Sequence, residues 1–213
     1  MAKKKKKKRK GINKVVKIMV FSDLFLNSGW GLIGPILAIF IINNVQGGNV
    51  MVVGIAVGIY LIVKSVLQVP IAHYLDLNHG EKDDYYALFI GTLLTAITPI
   101  IFIFATMPWH IYIAQVIHAL GMAMALPAWS AIFTRHIQKR REAFCWSLDS
   151  SALGLGAGIT GVIGGAIAQS FGFVPLFVGV SVFNIIAALL FLFIKKDLLP
   201  KTSRQKVFLL PKT

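Results

Sequence analysis

Lys64 stands inside a long apolar run, with Tyr60 four residues before it and Gln68 four after, so the three share one helical face. If the run crosses a bilayer, Lys64 lies ~16 Å along the axis from the Leu75 end, near the midplane. A lysine there costs ~2.5–3.5 kcal/mol on insertion scales, so a partner is required. Candidate partners are Asp23, Gln115, His118 or a bound anion. Asp23, Asn27, Trp30 and Gly34 recur on one helical face of an earlier run, Gln115, His118 and Met122 on one face of a later one, and Asp149, Ser150 and Ser151 open another. These groups suit binding of a polar solute, a coupling ion or a proton. Each also has a plainer reading. Lys64 could snorkel or meet a backbone carbonyl. Asp23 and Asp149 could pair with nearby loop arginines, and His118 could be a hydrogen-bonded packing residue. His73, Asp76 and His79 look like a metal set only superficially, because the outer pair lies off a common helical face, so no metal and no cofactor is assigned. No paired acidic signature or nucleophile elbow appears, which makes an enzyme the weakest reading.

The elements that position these residues follow from composition. The chain has 213 residues, is 56% hydrophobic and only 14% charged, and has a mean hydropathy of +0.74. That is too little charge to cover a soluble surface. Apolar stretches of ~20 residues match the ~30 Å hydrocarbon core, and backbone groups in lipid must be satisfied internally, so the spans are expected to be α-helices. The period-2 alternation of a membrane barrel is absent. Six spans follow: 18–43 with a kink at Gly34-Pro35, 51–75, 86–106, 110–133, 143–170 and 174–194. The segments 76–84 and 135–142 read as charged loops, the latter the most basic internal one. A bundle domain over 15–196 is thus expected, between a basic arm at 1–14 and a basic tail at 197–213.

Basic residues set the orientation. The arm, the loop with Lys82, the loop with Arg140 and Arg141, and the tail share one side, while the three intervening turns carry no Lys or Arg. By the positive-inside rule both termini are expected in the cytoplasm, with the protein in the plasma membrane. The net charge of +14 comes largely from the arm, which is expected to be disordered off the membrane and attracted to anionic head groups at ~1 kcal/mol per residue. A nucleic-acid partner is not expected, since the arm leads directly into a span. A signal peptide is not expected either, because the first run is too long and lacks a cleavage site. The lone Cys145 excludes an internal disulfide.

Spans one, two, four and five carry polar faces. The third has only threonines and the sixth little beyond Asn184, so these two are expected to face lipid around a central polar cavity. Gly154, Gly158, Gly161 and Gly165 recur at i, i+4, i+7 and i+11 on span five, a smooth strip that permits close helix approach. Packing inside one bundle would explain the strip, and so would a dedicated interface with a second molecule.

Three motifs carry a family resemblance over about residues 15–196. After span two, Ala72-His-Tyr-Leu-Asp76 with Gly80 and Lys82 is a degenerate match to G-x-x-x-D-R/K-x-G-R/K-R/K, with Ala72 for the first glycine, Leu77 at the first basic position and Gly80 one residue late. In span four, Gln115-Val-Ile-His118-Ala119-Leu-Gly121 follows R-x-x-Q-G-x-G without the arginine. In span five, Gly156-Ala-Gly-Ile-Thr160-Gly161-Val-Ile-Gly164-Gly165 follows G-x-x-x-G-P-x-x-G-G without the proline. Phe171-Gly172-Phe173-Val-Pro175-Leu-Phe177 is similar to the turn into the sixth span. The chain resembles one half of a major facilitator superfamily transporter, a family built as two six-span halves. The resemblance implies an alternating-access transporter of a small solute, completed by a homodimer or a second six-span chain. A non-transporting interaction or regulatory module is the rival reading. It further implies spans two and five at the junction between halves. Asp76, Gly80 and Lys82 would latch against Arg140, Arg141 and Asp149 of the other half. Two copies of Lys64 facing one another would favour an anionic or zwitterionic substrate.

Overall fold

The computed structural model describes residues 11–77 and 80–199. Its helices are α1 (Lys14–Ile33), α2 (Leu37–Asn44), α3 (Val50–Leu77), α4 (Glu81–Ile103), α5 (Pro108–His136), α6 (Glu142–Phe171), α7 (Val174–Leu190) and the short α8 (Lys195–Leu198), with a 3₁₀ turn at Phe191–Phe193. They make six stretches long and apolar enough to cross a membrane, the first being α1 and α2 together. The expected all-α six-span bundle is therefore the fold, and the chain is an integral membrane protein. Residues 1–10 of the basic arm and 200–213 of the tail lie outside the described residues, as do Asn78 and His79.

Local chemistry explains the breaks. Pro35 has no N–H to donate, so the first span breaks there; the Gly34 N–H still reaches Trp30 O at 2.9 Å, and α2 starts afresh. Asn13 caps α1, its Oδ1 accepting from the Val15 N–H at 3.1 Å. Gly172 ends α6 at φ +77°, a conformation that side chains disfavour. The expected loops are shorter than the charge pattern suggested. Asp76 and Leu77 still belong to α3, Glu81 to Asp84 form the first turn of α4, and Arg135 and His136 the last turn of α5. Charge at these helix ends is compatible with helix because it lies at the membrane–water boundary, and Glu81, Asp83 and Asp84 complement the positive N-terminus of α4.

The helices pack as an open arc in the order α3, α5, α4, α7, α1, α6. Helices of spans one to three therefore pack across those of spans four to six. α1 packs on α6 and α7 of the other triplet, and α5 packs on α3 and α4, while α4 and α7 meet at the back. Glycines set the closest crossings. A Cβ on Gly91 of α4 would lie 2.6 Å from Gly121 O of α5, and one on Gly29 of α1 would lie 3.0 Å from Phe183 Cβ of α7. One apolar core lies at the end bearing both termini, around Met19, Tyr85, Ile132, Phe133 and Phe191. The second lies at the opposite end, around Phe40, Phe102, Ile111 and Phe177.

The third and sixth spans differ from their expected role. They keep lipid-facing stripes, such as Ile90, Ile97 and Ile100 on α4, and Val178, Val182 and Ile185 on α7. Their polar residues, however, form a buried seam: Asn184 Nδ2 donates to Thr95 O at 3.2 Å, and Ser181 Oγ to Ala96 O at 3.0 Å. Hydroxyls and amides satisfied this way can sit inside a bundle at little cost. The least buried spans are α3 and α6, at the two open ends of the arc.

Candidate functional site

The concave side of the arc is lined by α1, α3, α5 and α6, the spans whose polar faces the sequence marks. Midway along it three rings from three helices stack. Trp30 of α1 lies parallel to His118 of α5 at 3.8 Å between centroids and 8° between planes. The other face of His118 stacks on Tyr60 of α3 at 4.5 Å and 20°. Lys64, one turn on from Tyr60, places its Nζ 5.4 Å from the Tyr60 ring centroid. An ammonium over an electron-rich ring is stabilised there, by an amount that grows as water is removed. Among the described residues no salt bridge holds Lys64, and its partner is this ring rather than Asp23. Gln115, one turn before His118, is 5% exposed, and its Oε1 has no hydrogen-bond partner among the described residues; the Trp30 Nε1 is likewise unpartnered. Buried polar atoms without partners are rare, and here two of them flank a charged, ring-lined cleft.

The structure thus gathers Lys64, Trp30, His118 and Gln115, with Tyr60 as the link. Tyr60 shares the Lys64 face in the sequence, but a tyrosine at helical spacing does not by itself stand out from core packing. Asp23 and Asn27 belong to a different level of α1. Asn27 Nδ2 donates to Asp23 Oδ1 at 3.0 Å and to Asp23 O at 2.9 Å, closing a local ring on one helix. Asp23 and Asp149 together line a cavity of about 240 Å³ nearer the terminal end. Gln68 lies nearer the terminal end too, lining a separate opening of about 590 Å³ with Asp76, Ser130 and Arg135.

The expected latch residues are scattered. Asp76, Gly80 and Lys82 are exposed, and Asp149 is buried at 4% exposure inside the cavity it shares with Asp23. Arg140 takes a left-handed φ of 69°, and its N–H donates to Glu142 Oε1 at 3.0 Å. Arg141 occupies the cap position of α6. The charge pairs formed at this end involve other residues. Arg135 of α5 binds the fully buried Asp84 of α4 at 2.5 Å and lies 3.9 Å from Glu81, which is itself 3.4 Å from His136 Nδ1. Reading 76–84 and 135–142 as loops hid this pair; one further turn on each helix places the two side chains opposite each other.

The glycine strip lies on the outer side of α6, and a second row of small residues packs inward. Gly156, Thr160 and Gly164 are buried against α1, where a Cβ on Gly164 would meet the Leu32 backbone and one on Gly31 would meet Thr160 and Ala157. A Cβ added to Gly154, Gly158 or Gly165 would meet nothing within 4 Å, and one on Gly161 would lie 3.6 Å from Gly31 O.

The sequence profile of the Major Facilitator Superfamily matches residues 19–210. The chain is also 23% identical over 193 residues to an uncharacterized MFS-type transporter of Methanocaldococcus jannaschii, a match covering 91% of this chain and 48% of that protein. The chain therefore spans about half the length of this curated relative.

Proposed function

The chain belongs to the Major Facilitator Superfamily, and on that premise we propose that it moves a small solute across the plasma membrane by alternating access, with two six-span units closing around the cleft. The observation that carries this reading is the column Trp30–His118–Tyr60–Lys64, in which rings from three helices stack beside an ammonium that no salt bridge holds among the described residues. A charge near mid-membrane that among the described residues meets the Tyr60 ring and no salt-bridge partner, beside the unpartnered Gln115, suits a group that exchanges partners as the cleft opens and closes. In this reading Lys64 supplies the charge. Trp30, Tyr60 and His118 form its flat wall, and Gln115 waits for a hydrogen-bond donor.

The second unit is a copy of the same chain. Its match to half of a longer transporter and the open arc ending in α3 and α6 support this pairing. Both termini face the cytoplasm, in keeping with the basic loops on the terminal end. The basic arm rests on anionic head groups, and Asp76 meets the α6 end of the other unit.

The test is solute uptake in proteoliposomes with and without a pH gradient. Lys64→Met suits the apolar setting and keeps the bundle folded, and it is expected to abolish uptake; Lys64→Arg retains part of it if charge is what matters. Uptake at the wild-type rate by Lys64→Met would sink the reading.

A further inference from the structure

The 240 Å³ cavity between α1, α5 and α6 lies apart from the Lys64 column. Asp23 and Trp30 share a face of α1, with about 10 Å of helix between them. Two carboxylates reach the cavity from different helices, Asp23 from α1 and Asp149 from α6. Asp149 is 4% exposed, and its Oδ1 has no hydrogen-bond partner among the described residues. Trp129 lines the same space and is 8% exposed. Burial of a carboxylate oxygen without a partner is costly unless something else occupies the space.

The walls indicate what that occupant is. A hard metal cation asks for about six or more oxygen ligands. Beyond the two carboxylates, the side-chain oxygens lining this cavity are the hydroxyls of Ser22, Thr92 and Ser130, and among the described residues no group of three or more His, Cys, Asp or Glu could hold a metal ion. Trp146, Phe191 and Met122 make most of the remaining wall apolar and aromatic. Two carboxylates among aromatic and aliphatic side chains match a positive head carried on an apolar body. We infer that this cavity binds a small organic cation, an alkyl- or arylammonium whose head lies between Asp23 and Asp149 and whose body rests on Trp129 and Trp146. The expectation of an anionic or zwitterionic cargo rested on Lys64, which does not line this space; the carboxylates do. As the binding step of transport, this inference rests on the reading above, yet it is measurable without transport.

Trp129 and Trp146 supply the readout. Benzyltrimethylammonium is titrated into purified full-length protein in detergent, and tryptophan quenching is followed. The expected result is saturable quenching, about tenfold weaker in Asp149→Asn and in Asp23→Asn and within about twofold of wild type in Trp109→Phe, which lies at the far end of α5. Phenylacetate, of opposite charge, should not compete. Should an Asn variant aggregate, neopentylbenzene, the uncharged isostere, decides on wild-type protein; it should bind about tenfold more weakly than the cation. Equal binding of cation and isostere, unchanged binding by folded Asn variants, competition by phenylacetate, or no saturable quenching overturns the inference. Absent cation binding alongside persistent Lys64-dependent uptake removes the cation site alone. Cation binding alongside uptake indifferent to Lys64→Met removes the transport reading alone.

Discussion

The two faces of α6 are built from the same residue type and have opposite fates. On one, Gly156 and Gly164 admit α1 so closely that a Cβ at Gly164 would run into the Leu32 backbone. On the other, Gly154, Gly158 and Gly165 stand in open space, although they are close in sequence to the first pair. A small-residue strip thus records where a backbone is permitted to approach, and not whether one does. The inner face closes the bundle, and the outer face, with the exposed flank of α3, leaves it open at both ends of the arc.

The sharpest way to break this contrast is Gly164→Leu. A side chain there has only backbone to displace, so folding should fail, at a cost above about 4 kcal/mol. The measurement is the monodisperse fraction after detergent extraction, and a wild-type yield would contradict the close α1–α6 crossing. Next comes the closed side's buried ion pair. Arg135→Ala leaves Asp84 buried and uncompensated; since Arg135 is itself 40% exposed, the expected loss is about 2–3 kcal/mol, below the full cost of a buried pair. A thermal melt in detergent reads it, and Asp84→Asn in the Arg135→Ala background should recover part of the loss. Gly158→Leu on the open face is expected to leave the melting temperature unchanged while reducing dimer crosslinking in membranes. Intact crosslinking would mean that the second unit docks elsewhere. Smallest is Lys14→Gln, which removes the 2.7 Å pair with Asp197; both side chains are well exposed, so the change should stay within ~0.2–1 kcal/mol.

Much of the fold is legible in the chain because lipid imposes one rule on backbone. Runs of sufficient apolar length become helices, and Gly34-Pro35 breaks the first of them as its missing N–H requires. Helix ends were legible only to within a turn or so. Charged residues at the water boundary read as loop, so Asp84 and Arg135 were placed outside the spans when they close them. The site was legible as helical faces but not as partners. The Lys64 face includes Tyr60, yet nothing along the chain says that His118 slides between Tyr60 and Trp30. That Asp23 and Asp149 line one cavity is likewise not written along the chain, because they lie on helices far apart in sequence.

By itself the sequence determined six apolar helices and the even topology that brings both termini to one end, because hydrocarbon thickness and backbone hydrogen bonding leave few alternatives; the family resemblance rested on its motifs. Tertiary structure alone decided which helices meet. α1 leaves its own triplet to pack on α6 and α7, and that swap brings Asp23 and Asp149 to one cavity, with α5 supplying its Trp129 wall. The physical reason is that periodicity fixes which residues share a face of one helix, whereas the neighbour of that face is chosen by where small residues let two backbones close, as at Gly31, Gly156 and Gly164.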